Sequence, residues 1–223
     1  MKTFLATSSL CRTVRSGVNA LNPKQLSRKF RKDEDGIAAI EFAIIAPIMI
    51  TMYFGLAEIA SAISVDRRIS HGTNVAGDMA TQQPDIRLAD IEEVVAASLR
   101  VMTVQDIGNV SMDIESFILP AEGQPPESRG RIRVNNTGGS FTNFDATTLD
   151  TKILNETSGV VVTRTSYEYT PLKLRFLNTD ITLQETFLLK PRRSDAVQIQ
   201  DGMGSLIDCS ATSFSNVTCT VTN

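Results

Sequence analysis

The sequence predicts an α+β protein: an N-terminal transmembrane helix extended beyond the membrane, a second helix, and then a small antiparallel sheet. Three observations carry this reading. An apolar run from Ile37 to Ala57 is broken only by Glu41. Between Ala62 and Met102 apolar residues recur at spacings of three and four, the period of a helix. From Val110 onward the period falls to two, as in a strand with one buried face.

The N-terminal segment is set apart by charge. Residues 1–36 carry eight Lys/Arg and three acidic residues, which leaves fourteen basic and twenty-two acidic residues for the rest. This leader is Ser-rich and polar, with Gly17 and Pro23, a composition that does not build a core. The apolar run of 21 residues that follows reaches about 31 Å as a helix, enough to cross the hydrocarbon layer. It exceeds the apolar core of a secretory signal, which holds about 7–15 residues. A basic flank stays on the cytoplasmic side, so the expected organisation is a cytoplasmic leader 1–36, a transmembrane helix 37–59 and a periplasmic α+β domain 60–223. The acidic body has no basic stripe, which argues against a nucleic-acid partner.

The long helix is expected to continue to about Gln82, where Pro84 ends it by pushing the preceding residue out of helical geometry. Ala62, Val65, Ile69, Gly72, Ala76 and Met79 form one narrow seam along it. Asp85 is the expected N-cap of the second helix, with Leu88, Ile91, Val95, Leu99 and Met102 on its apolar face. About four strands follow. Val110, Met112, Ile114 and Ile118 alternate with Ser111, Asp113 and Glu115; "RIRV" (131–134), "GVVVTRTSYEY" (159–169) and "ITLQETFLL" (181–189) complete the set. The segments 122–130 and 135–140 read as turn-rich linkers, and 202–205 as a further turn. Strands without intervening long helices favour antiparallel pairing, with the sheet packed on the extended helix.

Catalytic signatures are sparse. His71 is the single histidine, and no Gly-x-Ser-x-Gly elbow, phosphate-cradling glycine loop or His-Glu-x-x-His motif occurs. No enzymatic activity, cofactor or metal is therefore expected. Cys11 lies in the leader, on the reducing side. Cys209 and Cys219 lie in the exported part, where they either close a small disulfide loop or remain two free thiols.

The junction at the start of the apolar run carries a resemblance. Gly36, four residues, then Glu41-Phe42 and a membrane span resemble the processing site of type IV prepilins, in the Gly-x-x-x-x-Glu-Phe/Tyr form of the tight-adherence (Tad/Flp) branch. The wider segment "EFAIIAPIMITMYFGLAEIA", with Glu41-Phe42-Ala43, Pro47, Phe54-Gly55 and Glu58, is similar to the hallmark segment of TadE-like proteins. The stretches 160–172 and 181–192 are similar to the C-terminal strand pair of that family.

The resemblance implies a pilin-like fold and a pseudopilin required for assembly of Flp-type pili. Gly36, Ile37, Glu41 and Phe42 would form the processing site, with a prepilin peptidase cutting after Gly36 and leaving Ile37 as the new N-terminus. Glu41 would compensate the α-amino group of a neighbouring, staggered helix. The implied partners are the peptidase, the pilin, other pseudopilins and the inner-membrane platform. Ala39 and Ala43, four residues apart, offer a small face for helix–helix contact beside the kink-prone Pro47. Glu58, at the outer end of the span, is expected to pair with Arg67, Arg68 or another subunit, or to be solvated at the interface. The alternative reading is an unprocessed single-pass protein whose periplasmic domain binds a partner. The mature N-terminus distinguishes the two.

Overall fold

A computed structural model describes residues 34–121, 124–136, 141–150, 152–154, 158–171, 180–199 and 205–222. The expectations for the leader up to residue 33, for Cys11, and for most of the turns at 137–140 and 202–205 lie outside the described residues. The chain divides into two compact units, Met1–Thr51 and Met52–Asn223. In the first, the described residues from Glu34 onward are helical throughout.

Helix α1 spans Glu34–Thr81, with Pro47 inside it. A two-residue strand β1 (Asp85–Ile86), helix α2 (Leu88–Met102) and strands β2 (Val110–Ile118), β3 (Glu127–Val134), β4 (Val160–Tyr169), β5 (Ile181–Leu189), β6 (Gln198–Ile199), β7 (Leu206–Ser213) and β8 (Asn216–Thr222) follow. The class is α+β, with a mostly antiparallel sheet of six strands in the order β5-β4-β2-β3-β7-β8.

Three sequence expectations change. The sheet is not wholly antiparallel: β3 and β7 pair in parallel, as do β1 and β6 in a separate two-stranded ladder. A parallel neighbour requires a long crossover, and here β4 and β5 lie in sequence between the two paired strands. Asp85 is not an N-cap. It pairs with Gln198, and α2 starts after Arg87, whose backbone N–H donates to the Asp90 carboxylate at 3.2 Å. Glu127–Gly130, expected in a linker, belong to β3. Gly130, at φ 126°, permits this because a Cβ there would meet the Ile199 backbone oxygen at 2.8 Å.

The core of the second unit lies between the helices and one face of the sheet. Ile69, Ala76 and Ala80 of α1, Ile91, Val95, Leu99 and Met102 of α2, and Val110, Met112, Ile114, Ile132, Val134 and Val161 of the sheet are buried together. The predicted seam on α1 is the buried one, widened by Thr73, Gly77 and Thr81. Its glycines are there for closeness of approach. A Cβ on Gly72 would lie 2.2 Å from Met102 Cγ, and one on Gly77 would lie 2.5 Å from Leu189 Cδ1 and 2.7 Å from Thr163 Oγ1.

The opposite sheet face is covered as well, which the alternation in β2 does not suggest. Phe117, on the same face of β2 as Asp113 and Glu115 and directly opposite Val160 on β4, joins a second cluster with Ala146, Leu154, Val160 and Val162. Ser111, Asp113 and Glu115 are buried despite their polarity.

Candidate functional site

The apolar stretch is built as the sequence requires. Alternating Ile, Ala, Met and Phe side chains keep the helix going without polar competition for its backbone, and Thr51 returns its hydroxyl to the Ile48 carbonyl at 2.8 Å. By length and composition, Gly36–Thr81 holds one helix able to cross a membrane among the described residues, and none of its most apolar window is buried within the chain. Phe42 is 73% exposed, and Ile37, Ile40, Ile44, Ile45, Ile48 and Met49 are also exposed. Such a sheath is incompatible with water as its surroundings and fits a single-pass membrane protein.

Gly36 and Ile37 both lie within α1, which is described from Glu34 onward. Glycine weakens a helix by about 1 kcal/mol relative to alanine. The glycine thus lowers the local cost of opening the helix there. Among the described residues a side chain on Gly36 would meet nothing within 4 Å, so packing against them does not explain the glycine. Glu41 is exposed one turn after Ile37, amid apolar neighbours. Ala39 and Ala43 share one helical face, and Glu41 lies about 200° around the axis from either. Contact through the small face and contact through the carboxylate thus use different sides. Pro47 leaves the helix unbroken.

Glu58 departs from two of its expectations. Its side chain is 1% exposed, and neither carboxylate oxygen has a hydrogen-bond partner. Arg68 is turned to the Ser64 hydroxyl at 3.3 Å, and no ion pair to Glu58 forms among the described residues. Interfacial solvation is ruled out by burial. Pairing with Arg67 or Arg68 is ruled out by geometry.

A second group of charged side chains occupies the sheet face away from the helices. Asp113, 1% exposed, accepts from Arg131 Nε at 2.5 Å on one oxygen, and from Arg164 Nη2 at 2.5 Å and Nε at 3.1 Å on the other. Arg131 also donates to Asn143 Oδ1 at 2.5 Å and to the Thr142 carbonyl at 3.1 Å; Arg164 reaches the same carbonyl at 2.8 Å. The Arg164 guanidinium lies 5.0 Å from the Phe141 ring centre and 5.4 Å from that of Phe144. One carboxylate therefore aims two arginines that strap residues 141–144 across the sheet. Glu115 stands 3.7 Å from Arg131 and accepts from the Ser128 hydroxyl at 3.0 Å. Burial raises its carboxyl above the usual range, an effect that the Arg131 charge and the Ser128 bond reduce without cancelling. This arrangement has no nucleophile or open position. It is a clamp.

Sequence reasoning missed that clamp because its members lie 18 and 51 residues apart. The signal that was present is Arg131 and Arg164 falling within strand-period segments where apolar residues belong.

Cys209 and Cys219 are directly opposite each other on β7 and β8 and are joined by a disulfide. The Cys219 N–H is taken by the Glu92 carboxylate of α2 at 3.2 Å. His71 is exposed. Among the described residues no group of three or more His, Cys, Asp or Glu side chains is placed to hold a metal.

Residues 36–78 match the family model described as TadE-like protein. The match begins at Gly36 and ends within α1, close to where that helix docks on the sheet. No curated protein and no solved structure matches the chain.

Proposed function

We propose that this chain, TadE-like over residues 36–78, is a pseudopilin: a minor pilin-like subunit required for assembly of Tad/Flp-type pili. The observation that supports it most is the coincidence at Gly36. The family match starts there, and the Glu41-Phe42 pair follows at the prepilin spacing.

In this reading the basic leader stays in the cytoplasm, α1 crosses the inner membrane, and the acidic domain is periplasmic. A prepilin peptidase cuts the Gly36–Ile37 bond. Glycine suits the residue before the cut because it adds no side chain to a close-fitting protease site and because it weakens the helix locally. Cleavage leaves an α-amino group on Ile37, about 6 Å along the axis from Glu41. A neighbouring subunit staggered by that distance brings one subunit's amino group to the other's carboxylate. Each charge alone is costly at the membrane edge; together they fix the stagger. The pilin, other pseudopilins and the inner-membrane platform supply those neighbours.

Intact mass of the protein from native membranes tests the reading. The expected wild-type product begins at Ile37. Gly36→Leu should leave the leader attached, while Glu41→Ala should be cut and then fail in partnering. A wild-type chain that retains its leader in cells containing the peptidase overturns the assignment and leaves the unprocessed single-pass reading.

A further inference from the structure

The two edges of the six-stranded sheet are treated differently. At the β8 edge, α2 packs against the strand and Glu92 occupies the outward N–H of Cys219. The β5 edge has little of the usual protection. The strand runs nine residues, Ile181–Leu189, in unbroken register with β4 and without a bulge. It contains no proline and no lysine, and a single charge, Glu185. Among the described residues nothing pairs with its outer side. Natural sheets blunt such an edge with a short strand, a bulge, proline or lysine, because a free ladder of N–H and C=O groups recruits another strand.

Charge on this edge is one-sided. Asp66 of α1 is close enough to act on Glu185, and it adds to burial in holding the Glu185 carboxyl above its usual range. Neither acid has an ion-pair partner among the described residues. Directly opposite Glu185 on β4 is Thr165, fully buried, with a hydroxyl that has no hydrogen-bond partner. The helix side of the β4–β5 pair therefore presents two acids and an unused hydroxyl beside a free strand edge.

We propose that β5 is a strand-addition interface, filled by an extended segment of a partner chain whose lysine or arginine lies beside Glu185. Backbone bonds to the open ladder supply the attachment, and the Asp66–Glu185 pair selects a basic residue in the incoming strand. A second copy of this chain is a poor occupant. Two-fold pairing about the middle of β5 sets Glu185 against Glu185, and the body of the chain is acidic. The proposal stands independently of N-terminal processing, because it rests on residues of the second unit alone.

The test uses the full chain in lipid nanodiscs and three fluorescent nine-residue peptides of alternating Thr and Val. One carries a central Lys, one a central Glu, and one the central Lys with alternate amides N-methylated. Anisotropy should show the Lys peptide binding at least tenfold more tightly than the Glu peptide, and the N-methylated peptide not binding. Hydrogen exchange should place new protection on 181–189. Glu185→Lys should reverse the preference and Glu185→Gln should abolish it, with Asp66→Asn in between. Equal binding of the two charged peptides, binding by none, or protection away from β5 overturns the proposal. Concentration-dependent protection of β5 without peptide also overturns it, in favour of a second copy.

Discussion

Asp113→Ala removes the acceptor on which two arginines converge. Arg131 is buried and keeps only Glu115, at 3.7 Å, as a counter-charge; Arg164 keeps no carboxylate among the described residues. Breaking a buried ion pair by deleting one partner typically costs about 3–5 kcal/mol, because the remaining charge stays desolvated. Against a typical domain stability of about 5–15 kcal/mol this is a large share. With a urea slope of about 2 kcal/mol/M, the midpoint should fall by roughly 1.5–2.5 M. Far-UV circular dichroism of the full chain in detergent, titrated with urea, reads this directly.

The same substitution should loosen residues 141–144, since both arginines that reach the Thr142 carbonyl lose their alignment. Hydrogen exchange at Phe141–Phe144 should quicken in the variant under native conditions. A fourfold replacement, Asp113→Leu and Glu115→Gln with Arg131→Met and Arg164→Met, removes all four charges and should recover much of the loss. A cost below about 1 kcal/mol for Asp113→Ala would refute the clamp, as would unchanged exchange at 141–144.

Glu115→Gln should make stability less dependent on pH. The folded carboxyl titrates above the unfolded one, so the native state binds more protons in that window and stability falls as pH rises through it; the variant should lack that fall in urea midpoints measured just above the ordinary glutamate range. Replacing Cys209 and Cys219 by serine, or reducing them, should cost about 2–3 kcal/mol on the chain-entropy estimate for a separation of 10 residues. Unchanged thermal midpoints with and without reductant would contradict this. Glu58→Met removes a buried carboxylate without partners and should stabilise the isolated chain by about 1–3 kcal/mol, read as a raised urea midpoint.

The helices were legible because their signals are local. The seam on α1 and the apolar face of α2 follow from spacing, and Pro84 marks the break between them. Strand β5 could be read to the residue because one of its faces is covered and the other open, which preserves alternation. Strand β2 was legible as a strand but not in its burial, since Asp113 and Glu115 look solvent-facing until Arg131 and Arg164 arrive from β3 and β4. Strands β7 and β8 went unread. Their Ser, Thr and Asn content suggests a tail, and what organises them is pairing with β3 and the Cys209–Cys219 bridge. The start of α2 was misplaced because Asp85 is a good cap in isolation, whereas β6, more than a hundred residues later, recruits it into a strand.

Asp113 and Glu58 show why composition alone could not rank the acids. Both are 1% exposed, and both sit among apolar neighbours in the sequence. Asp113 receives donors from two arginines, so its burial is balanced within the chain. Glu58 receives none. An isolated carboxylate held this way opposes folding and adds nothing to the core. Natural proteins retain such groups where the chain does something other than fold. A subunit whose complement arrives with another molecule fits that description better than a self-sufficient domain does. The same logic applies to β5, whose ladder is open, among the described residues, beside two acids without an ion-pair partner. Glu58 and the β5 edge are separate features of the second unit, and both are left incomplete in a single copy. That incompleteness supports an assembly role on grounds independent of the Gly36 spacing.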